Sequence, residues 1–334
     1  MRHESSVTSL SWIPSEAVTG LNKAIFGTGF THYDAPPPDV IDDLDALRDS
    51  DAFRFANHLA AAIEVDDDGK IIAAEYTGSG VMGATTLAVA GREATFAAVS
   101  FPDLTKPVEI TADGARFVQT VGGHTAVPAP RRVNRPPFVQ FQAPTVWTSL
   151  ALTISADGSS TYELLGASTF PRHWIYGPDL RLTAKAGLAD FKDWWRSAFG
   201  KHTPWGDEDT PALVTTVETA LERGLSTEIM RGDTKPGIRK VREGATLTEQ
   251  GEPGNEIYLL LNGVLAVEVD GETLAEVGPG AILGERAVLE GGVRTSTLRA
   301  KTKAKVAVAA ADQIDPAALA TLSEGHRRED AGTP

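Results

Sequence analysis

The sequence predicts a mainly β protein with a few helices, built as two domains that each carry an antiparallel sheet structure. Three observations lead there. The chain has 334 residues, more than a single hydrophobic core ordinarily serves, so two domains are expected. Between residues 55 and 182, short runs of β-favouring residues are broken by turn signals at short intervals, and the same rhythm returns between 258 and 309. Between those stretches, Thr203-Pro204-Trp205-Gly206-Asp207-Glu208-Asp209-Thr210 is polar, acidic and carries Pro and Gly, which reads as an interdomain linker. The expected organisation is a β-rich sandwich or barrel at 1–200, a linker at 201–210, and a connecting helix with a second β domain at 211–330.

In order along the chain, residues 1–50 begin polar and reach His32-Tyr33-Asp34-Ala35-Pro36-Pro37-Pro38-Asp39, where three prolines forbid helix and favour an extended segment. Residues 39–47 then place apolar side chains at helical spacing on an acidic face, which predicts a short surface helix. Strands are expected at 71–76, 95–99, 116–120, 147–154 and 162–165. The pairs Asp68-Gly69, Asp113-Gly114 and Asp157-Gly158 suit the positive φ of tight hairpins. At 188–199, Leu188, Phe191, Trp194, Trp195 and Phe199 return to helical spacing, with Gly200 placed to end that helix.

The second domain is expected to open with a helix capped by Thr210, with Pro211 at its first position and the stripe Leu213, Val217, Leu221, Leu225 on one face. Strands follow at 258–261, 264–269, 273–277, 297–300 and 305–309, consistent with an antiparallel barrel or jelly roll. A short last helix from 316 to about 328 precedes a polar end that is expected to fray.

Composition narrows the function. A formal net charge of −14 makes general attraction to nucleic acid or to anionic membranes unfavourable. The absence of cysteine excludes thiolate catalysis, Cys-ligated zinc and disulfides. The start of the chain lacks a basic stretch leading into an apolar one, and no run approaches the ~20 apolar residues of a membrane helix. A cytoplasmic protein with neither nucleic acid nor membrane as partner is expected.

The most specific stretch is Gly280-Ala281-Ile282-Leu283-Gly284-Glu285-Arg286-Ala287, followed after a spacer by Arg294-Thr295-Ser296-Thr297. A glycine at the start of a short helix leaves outward N–H groups with no intrahelical partner, so Gly284 and the amides through Arg286 and Ala287 form a candidate anion site. A carboxylate beside a bound phosphate is repulsive unless it accepts from a donor. A sugar hydroxyl is the obvious donor, so Glu285 reads as a ribose ligand. Arg294 supplies a permanent charge whose planar fork pairs two phosphate oxygens. Thr295 and Ser296 add hydroxyls within reach of a base or the phosphate.

With these residues in view, 236–312 resembles the cyclic nucleotide-binding domain family, the β-roll of bacterial catabolite regulators, cAMP-dependent kinase regulatory subunits and cyclic nucleotide-gated channels. Gly244-Ala245-Thr246-Leu247, Gln250-Gly251, Glu256-Ile257-Tyr258-Leu259-Leu260, Gly263-Val264-Leu265 and Val277-Gly278-Pro279-Gly280 resemble the family's strand and glycine-turn signature in order. Gly284 to Ala287 and Arg294 to Ser296 resemble its phosphate-binding cassette. The resemblance implies Glu285 on the ribose 2′-hydroxyl, Arg294 on the cyclic phosphate, Gly284 and Ala287 as backbone donors, and Thr295 at a position that contacts guanine or phosphate in some members. The family holds both cAMP and cGMP binders with threonine there, so the resemblance leaves the base open; cAMP is expected ahead of cGMP, with no further cofactor. Leu283 stands where many members have phenylalanine and Ser296 where alanine is usual. The family's long C-terminal lid helix is not matched, which leaves Leu319, Leu322, Arg327 or the first domain to cover the base.

Other motifs are weaker. Gly78-Ser79-Gly80-Val81-Met82-Gly83 fits the dinucleotide fingerprint, but the β-branched residues after it predict no helix, so it reads as a hairpin loop. Asp66-Asp67-Asp68-Gly69 lacks the ligand pattern of a calcium loop and reads as a hairpin tip. His124 and His173 lack metal-site spacing. Arg131, Arg132 and Arg135 form a basic patch among prolines, read as a solvated loop ahead of a dock for an acidic partner. No catalytic constellation is found and no metal site is expected. The leading expectation is a regulatory sensor that relays its nucleotide state to the N-terminal domain, with a protein partner or homo-oligomer left open. The alternatives are a nucleotide-gated enzyme, favoured if His124, His173 or Trp174 line one pocket, and a scaffold that uses the barrel to oligomerise.

Overall fold

The computed structural model describes residues 1–14, 17–18, 34–50, 52–83, 85–89, 92–96, 98–125, 129–132, 136, 139–169, 171–187, 204–205, 215, 217–232 and 235–331. The chain is mainly β and forms two compact units, one drawn mainly from 1–214 and the other mainly from 215–334. The helix expected at 188–199, the Thr210 cap, Pro211, Leu213, Arg135 and most of the 201–210 linker lie outside the described residues.

The first unit opens with β1 (Arg2–Trp12), followed by α1 (Leu44–Asp49), β2 (Phe55–Val65), β3 (Ile71–Tyr76) and β4 (Gly80–Met82). A hairpin of β5 (Thr85–Val89) and β6 (Arg92–Phe96) comes next. The short β7 (Val99–Ser100), β8 (Leu104–Thr105) and β9 (Glu109–Ile110) each pair with β10 (Gly114–His124). After the hairpin of β11 (Ala129–Arg132) and β12 (Val139–Gln142) come β13 (Thr145–Ser155), β14 (Ser160–Ala167), β15 (Arg172–Tyr176) and β16 (Leu182–Ala186).

Two sheets result, ordered β16-β15-β1-β2-β3 with β4 on β2, and β14-β13-β10-β7 with β8 and β9 on β10. They pack face to face, so the unit is a sandwich. Val7, Leu59, Ile63, Phe117, Leu150 and Leu152 fill the space between them. The opposite face of β1 is covered as well: Leu10 and Trp12 pack with Ile41, Phe53 and Trp174, and Leu44 and Leu47 of α1 join them.

Several expectations are corrected here. The polar start is an internal strand, because its alternate residues Ser9 and Ser11 are buried serines where a hydrophobic pattern shows nothing. The surface helix starts at Leu44, since Asp43 caps it by accepting the Ala46 N–H at 2.9 Å, while Val40 bridges to Arg181. Gly69 and Gly158 take the positive φ expected of them, but Gly114 does not and simply begins β10. The glycine-rich motif meets no helix. A Cβ at Gly78 would lie 2.2 Å from the His58 carbonyl oxygen, and one at Gly83 2.2 Å from that of Phe53, so these glycines permit close backbone approach. Asp66 Oδ1 accepts the N–H groups of Asp68 (3.1 Å) and Lys70 (2.9 Å), which uses that carboxylate to build the hairpin tip.

The first helix of the second unit among the described residues is α2 (Ala220–Arg231). Thr219 and Glu222 form a capping box, the Glu222 N–H donating to Thr219 Oγ1 at 3.2 Å and the Thr219 N–H to Glu222 Oε2 at 2.7 Å. Thr215 and residues 217–219 are not helical, so the box leaves Val217 before the helix and the expected stripe through Val217 is not continuous. Then follow β17 (Gly237–Val241), β18 (Thr246–Thr248), β19 (Glu256–Asn262), β20 (Leu265–Val269), β21 (Glu272–Val277) and β22 (Ile282–Leu283). After α3 (Glu285–Leu289) come β23 (Thr297–Ala300), β24 (Ala304–Ala310) and α4 (Pro316–Ala331).

The sheets run β17-β24-β19-β22 and β18-β23-β20-β21, a β-roll. Tyr258, Leu260, Leu265, Leu283, Leu298 and Val306 fill its interior. Ile257, Leu259 and Leu261, on the other face of β19, pack against Leu225 and Ile229 of α2 and Leu319 and Leu322 of α4. Among the described residues no helix is long and apolar enough to cross a membrane.

Candidate functional site

Strand alternation determines which residues of β19 can serve a site. Tyr258 faces the roll interior, and its backbone pairs with Leu283 of β22. Directly after β22 the chain turns into α3 through Gly284, at φ 93°, a left-handed conformation that glycine adopts without steric cost. A Cβ at Gly284 would stand 2.7 Å from Arg294 Nη1 and 2.8 Å from the Glu256 carbonyl oxygen. A Cβ at Gly254 would lie 2.1 Å from Arg294 Nε. Two glycines from separate loops therefore leave the space that the guanidinium fills.

Arg294 is 5% exposed. Its Nη1 donates to the Glu256 carbonyl at 2.9 Å and its Nη2 to Tyr258 Oη at 3.1 Å, with Cζ 5.0 Å from the Tyr258 ring centroid. The backbone on either side is also held. The Arg294 N–H donates to the Glu252 carbonyl and the Gly251 N–H to the Arg294 carbonyl, each at 2.8 Å. Tyr258 Oη in turn donates to Glu256 Oε2 at 2.7 Å, and Arg239 Nη2 lies 3.4 Å from that same oxygen. Burial, and then the bond to Glu256, push the Tyr258 hydroxyl above its ordinary pKa, so it remains a proton donor at neutral pH.

The remaining predicted residues lie on α3 and in the bend directly after Arg294. Glu285 is 4% exposed at the first position of α3, and Ala287 is buried one residue beyond Arg286. Arg286 is half-buried and pairs loosely with Glu290 at 3.8 Å. Thr295 and Ser296 are half-buried in the bend before β23. The next residue, Thr297, accepts the Gln250 N–H at 2.9 Å and so closes the loop. With only five residues, α3 is under two turns and its dipole is small. The buried positive charge at this place is therefore that of Arg294 rather than of the helix end.

Sequence reasoning missed three supporting residues. The roles of Gly254, Tyr258 and Glu256 arise from contact with Arg294, which lies on a loop far from them in the chain. The expected lid residues are elsewhere: Leu319 and Leu322 are 1% and 2% exposed on the outer face of β19, opposite Tyr258 and Arg294. The side chain of Arg327 lies outside the described set, as do those of Arg131 and Arg132. An open groove of about 520 Å³, lined by Lys235, Ile238, Arg239, Glu256 and Gln313 among others, adjoins Arg239, and neither Glu285 nor Arg294 lines it.

In the first unit His173 is fully buried, and its Nε2 lies 2.7 Å from the Ser168 carbonyl oxygen. That bond makes Nε2 the protonated nitrogen and leaves Nδ1 to accept from Ser11 Oγ at 2.6 Å. Trp174 points to the opposite face of β15, where it meets Trp12 with ring centroids 4.9 Å apart. His124 stacks edge-on with Phe101. His173 and Trp174 thus do not line one pocket. Among the described residues no group of three His, Cys, Asp or Glu is placed to hold a metal ion.

Residues 238–318 match the family model of the cyclic nucleotide-binding domain. A 63-residue segment is 33% identical to a cGMP-dependent protein kinase of Caenorhabditis briggsae, covering 19% of this chain and 8% of the kinase. The chain thus spans less than a tenth of that curated relative. Among solved structures, one of Sp-2Cl-cAMPS bound to PKAR CBD2 is similar at 18% identity over 33% of this chain and 71% of the other, with a TM-score of 0.27. A cyclic nucleotide-binding domain from Methylobacillus flagellatus KT is similar at 24% identity over 35% of this chain and 61% of the other, with a TM-score of 0.23.

Proposed function

We propose that the second unit binds a cyclic nucleotide, cAMP ahead of cGMP, and that the protein is a regulatory sensor whose ligand state is relayed to the N-terminal β-rich domain. The observation that carries the reading is the seating of Arg294. A guanidinium this buried, held by one carbonyl, one phenol hydroxyl and an aromatic face, keeps a full positive charge in a place where only an anion repays its desolvation. Glu285, buried at the other end of the α3 loop, supplies the acceptor that a ribose hydroxyl needs. Gly284 and Ala287 are proposed as backbone donors, with Arg286, Thr295 and Ser296 completing the ligand shell. The match of 238–318 to the cyclic nucleotide-binding domain model supports the same assignment.

Regulation is proposed to run through α2, which precedes the roll in sequence and packs on β19 through Leu225 and Ile229. A ligand moves such an equilibrium only through different affinities for the two states, so nucleotide affinity and the state of the N-terminal domain should be coupled reciprocally. The expected setting is cytoplasmic.

Titration calorimetry with cAMP and with cGMP tests the core of this reading. Saturable heat is expected for the wild type, with cAMP the tighter ligand, and Arg294→Ala should abolish or strongly weaken it. A wild-type protein giving no heat with either nucleotide at millimolar concentration would overturn it.

A further inference from the structure

We infer that Glu222 is a positioning residue that ties α2 to the cassette strand, so that one buried carboxylate carries the state of the site to the helix. The coupling to nucleotide rests on the function proposed above, whereas the link itself does not. Glu222 is 5% exposed, and both of its oxygens are engaged. Oε2 accepts the Thr219 N–H at 2.7 Å and the Thr219 hydroxyl at 3.1 Å, closing the capping box. Oε1 accepts the N–H of Ile282, from β22, at 3.1 Å. Ile282 stands two residues before Gly284 and three before Glu285.

A capping box needs a single carboxylate oxygen. Here the second oxygen reaches a donor 60 residues away in the chain. Ile282 is fully buried on the strand at the end of its sheet, so without Glu222 its N–H would lack a partner and carry the cost of an unsatisfied buried donor. A shift of β22 as Gly284 and Glu285 close on a ligand therefore pulls on Oε1. The carboxylate is rigid, so the pull reaches Oε2 and the first turn of α2. Leu225 and Ile229, further along the same helix, bury against the outer face of β19. Helix and cassette thus share one polar link, at the Ile282 N–H, and one apolar cluster that also takes in the Ile282 side chain.

The test uses the full chain and three forms: wild type, Glu222→Gln and Thr219→Ala. Glutamine keeps the shape but has one acceptor oxygen, so it cannot serve both N–H groups. Thr219→Ala weakens the cap and leaves the Ile282 bond intact. In ligand-free protein, amide hydrogen exchange at Ile282 should quicken by about tenfold in Glu222→Gln, the loss of one net hydrogen bond, and stay unchanged in Thr219→Ala. Exchange in β23 and β24 should match the wild type in all three, which shows the roll is folded. With saturating cAMP, exchange across 220–231 should slow in the wild type and in Thr219→Ala but not in Glu222→Gln.

Equal Ile282 exchange in wild type and Glu222→Gln would overturn the link. A cAMP response in 220–231 that survives Glu222→Gln would overturn the coupling. If the wild type binds neither nucleotide, the proposed function fails and the coupling with it, while Ile282 exchange in the ligand-free proteins still decides whether Glu222 holds the cassette strand.

Discussion

Arg294 is held in place as much by missing side chains as by hydrogen bonds. Gly254 leaves the room that its guanidinium occupies, so Gly254→Ala forces the arginine out of its seat. The expected outcome is at least about tenfold weaker cAMP binding in calorimetry, because the charge no longer meets the phosphate in a fixed orientation. Unchanged affinity would show that Arg294 is not the anchor. Tyr258→Phe is a milder change. The ring that stacks on the guanidinium remains, but the hydroxyl that accepts from Arg294 and donates to Glu256 is lost. A loss of about 1 kcal/mol is expected, read as a roughly fivefold rise in Kd. At this scale Glu285 and Arg294 were legible in the sequence, since a carboxylate and an arginine at that spacing after a Gly-Glu are local facts. Gly254 and Tyr258 were not, because what makes them matter is contact with a residue some 36 to 40 positions further on, and neighbouring residues carry no trace of that contact.

Helix α2 starts at a signal written in the sequence. Thr219 and Glu222 have the spacing of a capping box. The reciprocal hydrogen bonds of the box satisfy two backbone donors at once, and the residues just before Thr219 are not helical. Thr219→Ala should therefore lower the stability of the second unit by about 1 kcal/mol, measured by urea denaturation, with cAMP affinity nearly unchanged. Strand β1 is the opposite case. Its inward positions Ser9 and Ser11 are serines, so binary patterning finds no strand, and its place between β15 and β2 comes from pairing with residues about 50 and 165 positions away. Strand β15 carries His173 and Trp174 side by side in sequence on opposite faces, which separates two residues that a linear reading would group.

The first unit as a whole buries a titratable group in its interior, with a consequence for its stability. His173 is fully buried, and desolvation lowers its pKa to about 4 from the ordinary 6.5. The ring is neutral in the folded state at pH values where the unfolded chain takes up a proton, so stability is complete above pH 6.5 and falls as the pH drops towards 4. The loss amounts to about 3 kcal/mol over that window. Burial also lowers His58 and His124, which adds to the fall in the same direction. Denaturant melts followed by tryptophan fluorescence should show a midpoint that decreases from pH 6.5 to 4, with a shallower decrease in His173→Gln; a flat profile would contradict the assignment. The sequence by itself determined the mainly β class, five strands of the second unit to within a residue or two, and the choice of Gly284 to Ala287 and Arg294 as the candidate site, because each depends on chemistry within a few neighbouring residues. Only the tertiary structure decided that the first unit is a sandwich with β1 inside it, that Gly254 and Tyr258 seat Arg294, that Leu319 and Leu322 face away from the site, and that Glu222 reaches Ile282. Those features depend on which strands pair and which face each side chain takes, and pairing is a contest among distant segments that no local pattern records.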